Sequence, residues 1–209
     1  MRIEAARWMT VPLGMLLLAT AACQGGSPNA GRNQSTATAG APADTSDTTK
    51  PTTTTPKGGL SDSNIVAILD EANKADSTAG AAALKKATNA QVKAFARLMM
   101  AEHHALRVEG QGLAKQLKLT PKPPERDPLA GYTRNEMVAL QKTPKGAEFD
   151  RTYIDNEVAI HQAVLDFANQ ARVTTQTPEL KELIQKAIPV IQKHLEQAQA
   201  VQKQLGPAA

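Results

Sequence analysis

A chain of 209 residues has room for one domain of ordinary size with some length to spare. Its aromatic fraction of 3% and its single cysteine exclude a base-stacking platform and any intramolecular disulfide. The formal charge of +4, from 24 basic and 20 acidic residues, is scattered along the chain, and this predicts no nucleic-acid partner.

The N-terminus reads as an address. Arg2 and Arg7 lead into an apolar run from Trp8 to Ala22, interrupted by Thr10, Pro12, Gly14 and Thr20. A charged start, a short apolar stretch and small residues at its end describe a secretory signal peptide over residues 1–22. The run is too short and too interrupted for a membrane span. Ala19-Thr20-Ala21-Ala22 is followed at once by Cys23, which resembles the lipobox of bacterial lipoproteins, with Thr20 where that pattern usually has Leu. The resemblance implies a lipid on Cys23 and attachment to a membrane through it. Gln24 after the cysteine then implies a periplasmic location at the outer membrane. The other reading is an ordinary signal peptide cut after Ala21 or Ala22, with Cys23 an incidental thiol.

Residues 23–59 predict a disordered tether. From Gln24 to Gly59 there is no Val, Ile, Leu, Met, Phe, Tyr or Trp, but twelve Ser or Thr, six Gly and four Pro. Such a segment cannot bury enough apolar area to offset the entropy of ordering it. As a flexible linker it has a root-mean-square reach of about 30–35 Å.

Residues 60–209 have helical periodicity. Ser61 caps a first helix over 62–87 whose apolar stripe runs Ile65, Ile68, Leu69, Ala72, Ala75, Ala79 and Ala83. Thr88-Asn89 turns the chain into a second helix, to residue 117, with Val92, Phe95, Ala96, Met99, Leu106, Leu113 and Leu117 on one stripe. A long connection follows, broken by Pro121, Pro123, Pro124 and Pro128, with room for a short helix over Asn135–Gln141. Thr143-Pro144 reads as N-cap and first turn of the third long helix, over 144–172, with the stripe Phe149, Tyr153, Ile160, Val164, Ala168 and Ala171. Thr177-Pro178 starts the fourth, over 178–205, in which Leu180, Ile184, Ala187, Ile191, Ala198, Val201 and Leu205 are nearly heptad-spaced. Gly206-Pro207 stops it, and Pro189 inside it frees the carbonyl of Gln185. The pattern is all-α: a four-helix bundle whose long connection between its second and third helices matches the single crossover of ferritin-like bundles. An up-down-up-down bundle with an elaborated loop fits the same lengths.

Polar residues interrupt these stripes at matched heights. His103, His161 and His194 lie near the middles of the second, third and fourth long helices, and Asp76 near the middle of the first. Mid-helix residues of equal antiparallel helices share one layer, so these side chains converge at the waist of the bundle. His104, turned by about 100° from His103, faces a flank or solvent. Glu157, one turn before His161, can ligate or orient it. Three imidazoles and a carboxylate suit Zn, Fe, Mn or Cu, and Met99 one turn from His103 leans towards Cu. No ferritin-type Glu-x-x-His pair is present, because Met100, Val158 and Ile191 stand three residues before the histidines, so a di-iron oxidase centre is not expected.

Lys86-Ala87-Thr88-Asn89, Val92 to Ala96, His103, Gly146 to Asp150, Tyr153, His161, Pro189 and His194-Leu195 together resemble the bacterial domain-of-unknown-function family 4142. The resemblance covers Leu60–Leu205 and implies a ferritin-like helical bundle in an exported protein. The family pattern usually has Glu in the first helix near Asp76 and Thr78, where this chain departs from it. There is no nucleophile–base arrangement, phosphate loop or Rossmann-type glycine pattern, so a conventional hydrolase or nucleotide enzyme is disfavoured. Two expectations follow: an envelope bundle that binds a transition-metal ion through its core histidines, or a non-catalytic interaction or stress-related envelope module whose histidines are structural.

Overall fold

The computed structural model describes residues 59–206; the signal peptide, Cys23 and nearly all of the tether expected from the sequence lie outside the described residues. Five helices make up the rest: α1 (Asp62–Lys86), α2 (Ala90–Gln116), α3 (Ala130–Lys142), α4 (Ala147–Thr174) and α5 (Pro178–Leu205). Among the described residues, no helix is long and apolar enough to cross a membrane.

Local chemistry accounts for the starts of α1 and α2. Ser61 and Asn64 form a reciprocal capping box that starts α1. The Asn89 side chain accepts from the backbone N–H groups of Gln91 and Val92 and starts α2. The sequence misplaces one boundary. Thr143 ends α3 instead of opening α4, its N–H donating to the carbonyl of Ala139, and Pro144 lies beyond that stop. α4 begins after Gly146, whose φ of 139° suits a residue without a Cβ. The ammonium of Lys86 holds this junction by donating to the carbonyls of Leu140, Gln141 and Thr143. The connecting helix is also longer than expected and starts at Ala130. Pro189 is accommodated within α5, on its exposed side, where the Gln185 carbonyl can meet water.

Hydrogen bonds across the connections fix the topology. The chain leaving α2 meets the start of α1, where Lys122 bonds to Ser63 and Asn64. It reaches α4 at the opposite end of α1, where the Gly146 N–H donates to the Lys86 carbonyl. The connection therefore runs the length of the bundle, α2 is parallel to α4, and the single-crossover, ferritin-like order holds.

Each helical hairpin clasps the turn of the other. Asp62, in the first turn of α1, accepts from the hydroxyls of Thr175 and Thr177 and the backbone of Gln176 and Thr177, between α4 and α5. Asp150, in the first turn of α4, accepts from the Thr88 hydroxyl and the backbone of Thr88 and Asn89, between α1 and α2. The apolar core falls into two clusters. One holds Ile65, Ile68, Phe167, Leu180 and Ile184, and the other holds Val92, Phe95, Phe149, Tyr153 and Leu140. A polar layer lies at the waist between them.

Candidate metal centre

The waist forms where each long helix breaks its own apolar stripe. Asp76 sits between Ala72 and Ala79 on α1, and His194 between Ile191 and Ala198 on α5. His103 on α2 and Glu157 and His161 on α4 take the same height, and all five side chains are buried. The rings of His103, His161 and His194 form a triangle with centroids 5.2–5.5 Å apart. One ring nitrogen from each lies within 4.8 Å of one from each of the others. The five site residues expected from spacing are thus brought together, and His104 is exposed as expected.

Each imidazole spends one nitrogen on an oxygen. His103 Nδ1 is 2.9 Å from Asn73 Oδ1 and 3.5 Å from the Asp76 carboxylate. The Asn73 amide nitrogen donates to the Leu69 carbonyl, which fixes its oxygen towards His103. His161 Nδ1 donates to the backbone carbonyl of Glu157 at 2.9 Å, with that residue's carboxylate at 3.2 Å. His194 Nε2 is 2.6 Å from Glu102 Oε2. Acceptors at these three nitrogens place the ring protons there. The other ring nitrogens, His103 Nε2, His161 Nε2 and His194 Nδ1, are buried and have no partner. Imidazoles held through one nitrogen by an outer acceptor, with the other nitrogen unengaged, are the arrangement that metal-ligating histidines adopt.

Burial and nearby carboxylates divide the protons among these groups. Burial lowers His103 to about 4, against the pull of Asp76. Burial also lowers His194, against Glu102. Burial opposes protonation of His161 too, but Asp76 and Glu157 outweigh it and raise that ring to about 9. Glu157 is raised to about 7 by burial and by Asp76, against the attraction of His161. At neutral pH, therefore, two of the three rings are neutral ligands, and the third must give up one proton to a metal ion.

Four further residues belong to the layer, and spacing alone missed them. Asn73 and Glu102 orient rings from the flanks of α1 and α2. Glu136, on α3, is 1% exposed and both its carboxylate oxygens lack a partner. Burial, then the charges of Glu157 and Asp76, hold it well above the usual carboxylate range. Tyr153, read from the sequence as an apolar stripe residue, brings a fully buried hydroxyl beside Glu157.

Fold and site together define an all-α, single-crossover bundle with an imidazole- and carboxylate-lined waist. The chain belongs to the family described as Domain of unknown function (DUF4142), which matches residues 46–201. No curated protein and no solved structure matches the sequence.

Proposed function

We propose that the chain is an exported, lipid-anchored bundle of the cell envelope that binds one transition-metal ion through His103, His161 and His194. One observation supports the site above the others: three buried imidazoles each direct one nitrogen to an oxygen acceptor and leave the other without a partner. Buried polar atoms in folded proteins nearly always have partners, and purely structural histidines leave these three nitrogens unexplained. A tetrahedral ion with nitrogens at about 2 Å sets neighbouring ligands about 3.3 Å apart. Ring nitrogens that lie within 4.8 Å of one another close to that spacing when an ion binds. Asp76 and Glu157 flank the ion, as a further ligand or as acceptors for the ring protons. Three imidazoles suit Zn, Cu or Fe, and the fourth position is left for an acidic side chain, water or a small ligand.

Export and anchoring rest on Arg2, Arg7, the apolar run and Cys23. A lipid on Cys23 and a tether of about 30–35 Å place the bundle close to a membrane surface, in the periplasm at the outer membrane. Radiolabelled palmitate tests the anchor: the wild-type chain takes up label and Cys23→Ser does not, whereas equal labelling of both removes it. Cobalt tests the site. One equivalent of Co2+ gives the intense visible bands of a tetrahedral nitrogen-rich centre, and His194→Ala loses them. The pale spectrum of hexa-aqua Co2+ with the wild-type chain contradicts the site.

A further inference from the structure

A second set of buried donors adjoins the imidazole site and shares His161 with it. Asp76, Glu157 and His161 offer ligand atoms within 4.8 Å of one another. Glu136 reaches this region from α3, near enough for the charges of Glu157 and Asp76 to act on it. Asp76 Oδ1 and both carboxylate oxygens of Glu136 are buried without a hydrogen-bond partner, and the Glu157 carboxylate lies 3.2 Å from His161 Nδ1 with the Tyr153 hydroxyl beside it. Asp76, Glu136, Glu157 and Tyr153 are each at most 1% exposed. Among the described residues, no lysine or arginine pairs with any of the three carboxylates; Asp76 and Glu157 face only His103 and His161, and Glu136 has no such partner.

Ligand chemistry points the same way. Asp76, Glu136 and Glu157 bring three buried acidic side chains to the waist. Oxygen donors are what a hard divalent cation takes, unlike the nitrogen triangle beside them. Glu136 belongs to none of the four bundle helices, yet it carries both oxygens inward from the crossover.

We propose that Asp76, Glu136 and Glu157 hold a second divalent cation of the hard, oxygen-preferring class, with α3 supplying the ligand that completes the site. The inference rests on the imidazole reading for its neighbouring ion, but has its own readout. The purified full chain is given one equivalent of Zn2+ and titrated with Mn2+, which is followed by electron paramagnetic resonance, with both metals counted by mass spectrometry. One Zn and one Mn per chain are expected. Glu136→Gln should weaken Mn2+ at least tenfold and keep the zinc, while His194→Ala loses zinc and keeps Mn2+. Zinc-loaded protein that takes no Mn2+ overturns the second site. So does Mn2+ that one equivalent of Zn2+ displaces, or Glu136→Gln that binds Mn2+ as the wild type does. Manganese bound without zinc retains the second site and removes only the first. Should a variant fail to fold by circular dichroism, the wild-type count of one ion against two still decides.

Discussion

His161 faces the carboxyl of Glu157 on one side and two imidazoles on the other, and its proton is the coin both sides compete for. In metal-free protein the ring is protonated to about pH 9, against about 6.5 in an unfolded chain. The stability this adds is complete below the unfolded value and is lost as pH rises through the folded one. Glu157 acts in the same sense over its own range, because its pKa of about 7 lies above the usual carboxylate value and its ionisation destabilises the fold. Metal-free protein should therefore melt progressively lower from about pH 6.5 to 9, whereas metal-loaded protein should gain stability over that interval, because the ion displaces the His161 proton. Melting curves with and without chelator check the sign, and parallel slopes contradict it. At this scale much of the site was legible: a polar residue in the middle of an apolar stripe is visible in the sequence, and equal helices put such residues in one layer. Glu136 was not legible, because it lies in a connection whose register against the bundle no periodicity fixes. Glu102 adjoins His103 in sequence, but its role depends on α5, which brings His194 to it.

Among the elements, the two hairpins are joined by reciprocal aspartate clasps at opposite ends of the bundle. Hydrogen bonds to a charged acceptor contribute about 1.5–3 kcal/mol each and are not additive. Asp150→Ala leaves three such bonds unmade and should cost about 2–4 kcal/mol in urea denaturation, with metal stoichiometry unchanged. A cost within error of zero contradicts the clasp. Within the first hairpin, α1 and α2 approach closely at Gly80, where an added Cβ would fall 2.8 Å from Met100 Cγ and 2.9 Å from the Ala96 carbonyl. The carbonyl is backbone and cannot step aside, so Gly80→Val should push the helices apart and lower the melting temperature by several degrees, through an overpacking cost of about 1–3 kcal/mol. An unchanged melting temperature contradicts this close approach. Caps made by short-range contacts, Ser61 and Asn89, were readable from sequence. The start of α4 was not, because Thr143-Pro144 carries a good helix-start signal and a long-range contact from Lys86 decides the matter.

For the molecule as a whole, the central fact is a polar layer dividing the core into two apolar clusters. Burying imidazoles and carboxylates with unmet hydrogen-bonding atoms opposes folding, and a bound ion reverses that cost by supplying the missing partner. Helix lengths and apolar stripes made the all-α bundle legible, but connection lengths alone fit two topologies. The single crossover was decided by which helix ends meet, through contacts of Lys122 at one end and Gly146 at the other. Metal binding is expected to stabilise the whole bundle, because the three histidines come from α2, α4 and α5, which span both hairpins. The most direct measurement is the melting temperature of the purified protein titrated with Zn2+, Cu2+ and Fe2+. At a hundredfold excess over Kd, one of these ions should contribute about 2.7 kcal/mol and raise the melting temperature by about 5–10 °C, an increase absent in His161→Ala. A melting temperature unmoved by every metal contradicts the three-histidine site.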